Sequence, residues 1–331
     1  MRTPGFVRGT ACAAVLVLLG ATLTTATTAR AAVSACSDWS VTQSRIPGTL
    51  GGAAMLPSGD VWAVGNRSAS ATGSDTLVQH WNGTAWRTQS SPDPYTIDNY
   101  FNGVAATSDH NAWAVGGYYG NSAVQTLIAH WSGSAWEQIP SPDPGDSATS
   151  DVLYAVADVP HSTSDAWAVG MSGLQTLIVR WDGTTWQTVP SPDPGGSADN
   201  NSLNGVAATS SSNAWAVGSN QGGSGIAQGI IEHWNGSAWQ VVPFPVPSGL
   251  EGVVLTAVTA TSARNAWAVG YDGDATLIEH WNGSAWRHVR SPDPGGSSTS
   301  NGLFGGVAAN AAGDVAAVGD DYQGTLAFYC T

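Results

Sequence analysis

Short apolar runs alternate with clusters of Gly, Pro, Asn, Asp and Ser along most of this chain, and beyond the first thirty-odd residues no helical period emerges. The runs come in fours: a small apolar segment of the type GVAAT, then AWAVG, then TLIEHW, then SAWRHV, with turn residues between them. Each reads as a short strand, so the pattern predicts four-stranded antiparallel units. The unit recurs at intervals of about fifty residues and is clearest as LNGVAATSSSNAWAVG followed by HWNGSAWQVVP.

Five copies are nearly complete, and tryptophan marks three positions in each. One column is Trp62, Trp113, Trp167, Trp215 and Trp267; a second is Trp81, Trp131, Trp181, Trp234 and Trp281; a third is Trp86, Trp136, Trp186, Trp239 and Trp286. A sixth copy begins at Leu303, has Ala316 in the first column, and runs to the end of the sequence before the third is reached. The missing piece matches Cys36-Ser37-Asp38-Trp39-Ser40-Val41, which places Trp39 in the third column, so all sixteen Trp fall into register.

A repeat of this length built from four strands predicts an all-β, six-bladed β-propeller of four-stranded blades, with the N-terminal strand completing the last blade. The split unit favours a ring over a linear solenoid, which needs capping repeats instead. Asn82-Gly83 and Asp182-Gly183 predict two-residue type I′ hairpins. Alternation across such a hairpin puts Trp81 and Trp86 on one face and His80 on the other.

The first thirty-one residues read differently. Arg2 and Arg8 precede an apolar stretch from Ala11 to Leu23, and small residues follow at Ala29-Arg30-Ala31, the order of a secretory signal. The expected organisation is a signal over 1–31 and a single propeller over 32–331, exported as a monomer to the extracellular space. The apolar core of the signal is shorter than the ~20 residues of a spanning helix, so no membrane span is expected.

The ten basic residues are all Arg, the acidic residues number twenty-four, and the formal net charge is −14. Such a surface repels phosphate backbones and anionic lipid, which argues against nucleic-acid and membrane-surface partners. Without lysine, Schiff-base and P-loop chemistry are excluded. Of the three cysteines, Cys12 lies in the signal, which leaves Cys36 and Cys330 at opposite ends of the mature chain. A disulfide between them would close the ring and, in the chain-entropy account, contribute on the order of 5 kcal/mol. The competing reading takes Val33-Ser34-Ala35-Cys36 as a lipid-attachment signal at Cys36.

The pattern of an apolar strand ending in glycine, followed by HWNGSAW, resembles the kelch repeat over residues 36–331. That resemblance implies the propeller architecture. It departs from this sequence in two respects: Gly116-Gly117 alone keeps the glycine doublet, and the family's Tyr position holds His80, His130, His233 and His280, with Arg180 in the third unit. WNGSAW is also similar to a sialidase Asp-box but lacks the residue that separates its Asp and Gly. Kelch-like folds include copper oxidases similar to galactose oxidase, whose Tyr–Cys cross-link has no counterpart here if both mature cysteines close the ring. No cofactor and no catalytic residue are carried over.

Four copies of Ser-Pro-Asp-Pro, holding Asp93, Asp143, Asp193 and Asp293, read as turns in which Pro fixes φ and Asp caps through its own side chain. The histidine column, one per blade, reads as packing between blades rather than metal ligation. The loops after AWAVG and after Ser-Pro-Asp-Pro are expected on one face of the disc, where the copies differ. That face carries Tyr100, Phe101, Tyr118, Tyr119, Tyr271 and Tyr322 among Asp272, Asp274, Asp320 and Asp321. Aromatic rings beside carboxylates and amides suit a sugar or a protein surface. The expectation is therefore a binding module for an extracellular glycan or protein. The alternative is a glycan-active hydrolase or lyase that pairs Asp272 or Asp274 with Asp320 or Asp321.

Overall fold

A computed structural model of the chain describes residues 46–330, apart from 71–72, 121, 147, 224, 247–251, 292–300 and 322–323. Among the described residues every regular element is a strand, and no helix is long and apolar enough to cross a membrane. Six antiparallel sheets follow one another over 49–89, 99–139, 151–188, 200–241, 253–288 and 301–330. They are the blades of a β-propeller. In the second blade the strands are Asn99–Ser108, Asn111–Tyr119, Val124–Trp131 and Trp136–Ile139, paired in chain order. Five blades have four described strands and the sixth has three. The segment expected to supply its fourth, with Trp39 and Cys36, lies outside the described residues, as does the signal; Cys330 ends the last strand, opposite Val315 and exposed.

The first strand of each blade runs closest to its neighbours. Asn102 Nδ2 donates to the Leu153 carbonyl of the next blade at 2.8 Å, and Asn204 Nδ2 repeats this toward Leu255 at 2.9 Å. Every first strand is bulged where it meets AWAVG, and this accounts for that motif's glycine. A Cβ on Gly116 would lie 2.0 Å from the Tyr100 carbonyl oxygen, closer than any side chain tolerates.

The three tryptophan columns form the joints between blades. Trp62 of the first blade meets Trp131 and Trp136 of the second at ring-centroid distances of 5.0 and 5.2 Å. Trp113, Trp167 and Trp215 repeat the trio with Trp181 and Trp186, Trp234 and Trp239, and Trp281 and Trp286. One indole of each trio is tilted and the other edge-on, the arrangement aromatic quadrupoles favour.

The histidine column belongs to these joints. His130 lies 4.3 Å from Trp113, and its Nε2 pairs with Asn111 Oδ1 at 2.9 Å; His233 and His280 repeat the pair with Asn213 and Asn265. In the first blade His80 meets Asp60 instead, at 3.3 Å, and in the third, where arginine replaces the histidine, the partner is again an aspartate. Arg180 forms a two-point pair with Asp165 at 2.8 and 2.7 Å and lies over Trp167.

The sixth-to-first joint differs. Ala316 stands where the other blades have tryptophan. Val318 is 46% exposed in a column where Val64, Val115, Val169, Val217 and Val269 are fully buried. Leu50 is likewise 46% exposed where Phe101, Leu153, Leu203 and Leu255 are buried. Among the described residues, Ala316, Val318 and Leu50 are thus where the sixth and first blades depart from the repeat.

One local expectation is corrected. The Asn-Gly connection is not a two-residue type I′ hairpin, because Trp81 pairs directly with Trp86 and leaves residues 82–85 to turn the chain. Asn82 Oδ1 accepts from the Thr84 and Ala85 amides at 3.1 and 3.0 Å and from Thr84 Oγ1 at 2.8 Å. That side-chain bonding lets one residue, Gly83 at φ 83°, take the left-handed conformation alone. Asp182 does the same in the third blade.

Candidate functional site

The loops after AWAVG and those after Ser-Pro-Asp-Pro share one face, and hydrogen bonds join them. In the second blade Asp143 Oδ1 accepts from the Thr126 amide at 2.7 Å and from Thr126 Oγ1 at 2.9 Å, while Ser141 Oγ lies 2.6 Å from Thr126 Oγ1. Thr76 with Ser91 and Asp93, and Thr176 with Ser191 and Asp193, make the same clasp. In the fifth blade Thr276 and Ser291 pair at 2.6 Å, and Asp293 lies outside the described residues. The motif is thus structural, but its aspartate caps a strand seventeen residues back rather than its own turn. Burial raises the Asp93 and Asp143 carboxyls, and the threonine donors oppose that shift.

A second anchor holds each loop where it enters the next blade. Asn99, Asp151 and Asn201 open successive first strands, are buried, and bond the loop backbone: Asn99 spans Tyr95, and Asp151 accepts from the Gly145 amide at 3.0 Å. Asn201 Nδ2 reaches three carbonyls. Asp143→Ala would leave the buried Thr126 amide without its acceptor. We expect a loss of about 1–3 kcal/mol in urea unfolding, with faster amide exchange over 144–150; unchanged exchange would refute the clasp.

The loop between the fourth and fifth blades breaks this system at every position. Gly229 stands for the clasp threonine, Phe244 for the serine, Val246 for the aspartate and Val253 for the anchor asparagine. Two clefts adjoin there. One, of about 480 Å³, is lined by Asn200, Ser202, Asn204, Ser219, Gln221 and Tyr271, all uncharged. The other, of about 410 Å³, is walled by Ile226, Ile231, Val241, Phe244, Val246 and Val253. They share Ala227 and Gly252.

The residues singled out from the sequence divide among several places. Tyr271 lines the polar cleft. Asp272, next to it, is buried, and Asp274 follows in the turn at Gly273. Phe101 is part of the core between the first and second blades, packed with Trp62 and Val78 and not presented on the loop face. Tyr100, Tyr118 and Tyr119 belong to the second blade, three blades from Tyr271. Tyr100 is half-buried, and desolvation, with Tyr154 and Asp98 adding to it, pushes its hydroxyl up to about 12. Tyr119 is exposed and donates its amide to the Asp98 carbonyl at 2.8 Å.

Asp320 and Asp321 pair through their backbones with Gly302 and Asn301; their side chains, and Tyr322, lie outside the described residues. Among the described residues no three His, Cys, Asp or Glu are grouped as metal ligands would be. Sequence reasoning passed over the cleft's amides and hydroxyls. The available signal was FPVP at 244–247, in the one complete unit without Ser-Pro-Asp-Pro.

No protein-family profile and no curated protein sequence matches the chain. Solved structures do. A structure described as YCF48 bound to D1 peptide is 16% identical with a TM-score of 0.52, covering 84% of this chain and 77% of that one. The GH74 xyloglucanase of Xanthomonas campestris is 14% identical with a TM-score of 0.55, over 81% of this chain and 43% of its own length. The Penicillium chrysogenum α-L-arabinanase complexed with arabinobiose is 9% identical with a TM-score of 0.52, over 81% and 88%. The likeness is one of fold. It supports the propeller and leaves the kelch resemblance at the level of architecture.

Proposed function

We propose that the protein is a secreted binding module whose loop face engages an extracellular carbohydrate or protein at the cleft between the fourth and fifth blades. The observation that carries this reading is the cleft's uncharged lining, where Asn200, Ser202, Ser219 and the Tyr271 ring lie beside Asn204 and Gln221, whose amide nitrogens bond the Leu255 and Gly225 carbonyls. Such a surface forms neutral hydrogen bonds and offers one stacking plane, the requirements of a polyol or a peptide backbone. The similar folds include one with a peptide bound and one with a disaccharide bound, so the scaffold accommodates both kinds of ligand.

Glycan arrays and peptide arrays, followed by calorimetry on the hits, test the proposal. Tyr271→Ala is expected to weaken a true ligand by about tenfold, ~1.4 kcal/mol, while Tyr119→Ala, in the second blade, leaves it unchanged. A ligand indifferent to Tyr271 but lost with Tyr119 would move the site elsewhere on the face. No ligand in either array would contradict the proposal.

A further inference from the structure

The fourth blade is the place where a repeated structural device has been replaced as a set. Thr, Ser, Asp and Asn or Asp hold the loops that leave the first three blades, and all four positions become Gly229, Phe244, Val246 and Val253 in the loop that leaves the fourth. The replacements depend on one another. A Cβ on Gly229 would lie 2.6 Å from Phe244 Cζ and 2.8 Å from Val253 Cγ1, so the glycine makes room for the ring and the valine. Val253 is buried and Phe244 packs against the core between the fourth and fifth blades, so these two replacements serve packing, whereas Val246 stays outside it. Val246 is 52% exposed, and two further aliphatic residues outside the exchanged set, Ile226 and Val241, stand beside it on the cleft at 50% and 45%. Exposed aliphatic side chains gathered at a concavity mark a binding surface.

We infer that this apolar cleft is the anchor subsite for an extended polypeptide, taking a leucine- or phenylalanine-sized side chain while the neighbouring polar cleft holds the adjacent backbone. This rests on the reading of the loop face as a binding surface, and narrows its partner to a protein segment. Three observations select the occupant. The clefts adjoin at Ala227 and Gly252, which line both, so a ligand that spans them must offer an apolar group next to neutral hydrogen-bonding groups, as a peptide does residue by residue. Sugar hydroxyls in a cleft walled by Ile, Val and Phe would lose their hydrogen bonds to water without replacement, which disfavours a polysaccharide there. The net charge of −14 adds attraction for a segment with flanking lysine or arginine.

The test uses the full secreted chain and an array of synthetic peptides that carry Leu, Phe or Ala at one position, with and without flanking lysines. Leu and Phe peptides are expected to bind at least about tenfold more tightly than their Ala counterparts. Val246→Asp, at an exposed position, and the clasp-restoring combination Gly229→Thr, Phe244→Ser, Val246→Asp and Val253→Asn should each abolish that preference. Peptide binding insensitive to both variants overturns the inference. Glycan binding lost in Tyr271→Ala, without any peptide preference, overturns it too but leaves the loop-face reading standing. If binding is indifferent to Tyr271→Ala, Tyr119→Ala and Val246→Asp alike, both fail. A dimer that sedimentation detects in the native protein and Val246→Asp dissolves would make a second copy the occupant, and so also overturn it.

Discussion

Trp167→Ala is expected to lower the stability of the protein by about 3–5 kcal/mol, the range for truncating a large buried aromatic side chain. Trp167 is fully buried, stands 5.0 and 5.1 Å from Trp234 and Trp239 of the following blade, and carries the Arg180 guanidinium 4.8 Å above its ring. Truncation therefore empties one side of a joint and removes the surface on which the Arg180–Asp165 pair rests. Urea unfolding measures the effect. A loss under about 0.5 kcal/mol, the size of an ordinary surface change, would mean that the aromatic trios decorate the joints without holding them. The sixth blade already has alanine in this column, at Ala316, and Val318 two residues on is exposed where its counterparts are buried.

Stability is expected to fall as pH rises from about 6.5 to 8. Burial pushes Glu232 and Glu279 from the ordinary 4.5 up to about 8, and Asp158 from 3.8 up to about 7. Glu232 and Glu279 are fully buried, each against a neighbouring strand; Ser191 Oγ donates to Glu232 Oε2 at 3.1 Å, and His288 Nδ1 lies 3.2 Å from Glu279 Oε1. Over this range the folded protein keeps protons that the unfolded chain has released. Their contribution is complete below the unfolded values and is lost as pH climbs through the folded ones.

His130, His233 and His280 act in the opposite direction. Desolvation lowers all three below 6.5, so their contribution is present above 6.5 and is lost as pH falls beneath it. Above 6.5 only the carboxyls remain, each lowering stability by up to about 1.4 kcal/mol per pH unit. Urea midpoints at pH 6.5, 7.25 and 8 should decline in the native protein and decline less in Glu232→Gln, which keeps an acceptor for Ser191 without the charge. A flat or rising profile would contradict the account.

The fold was legible because its signal is repetition: three tryptophan columns recurring every fifty residues or so allow few architectures, and the joints use those columns in register. Features that depend on a partner distant in the chain were less visible. The Ser-Pro-Asp-Pro aspartate bonds a threonine on another strand, so reading it as a self-capped turn found its structural role and missed its partner. The Asn-Gly turn departed from the hairpin rule because Asn82 spends its side chain on two amides.

The candidate site was legible in part. Listing aromatic and acidic residues of the variable loops found Tyr271, but it also gathered Phe101, which strand alternation turns into the core, and tyrosines three blades away. Composition cannot separate these, since the face a side chain takes depends on a bulge within the strand. Asn200, Ser202, Asn204 and Gln221 went unnoticed because amides and hydroxyls are common in loops. What distinguishes their surroundings is the loss of a repeated motif, a signal visible when the copies are compared position by position.

The account centres on a uniform scaffold opened for a ligand at one joint, and hydrogen exchange of the protein with and without a bound array hit addresses that most directly. Slowed exchange confined to residues 200–204, 219–221, 226–231, 241–246, 252–255 and 271–273 is the predicted footprint. Slowed exchange over 95–101 and 117–120 in the second blade, with the fourth and fifth unchanged, would contradict it.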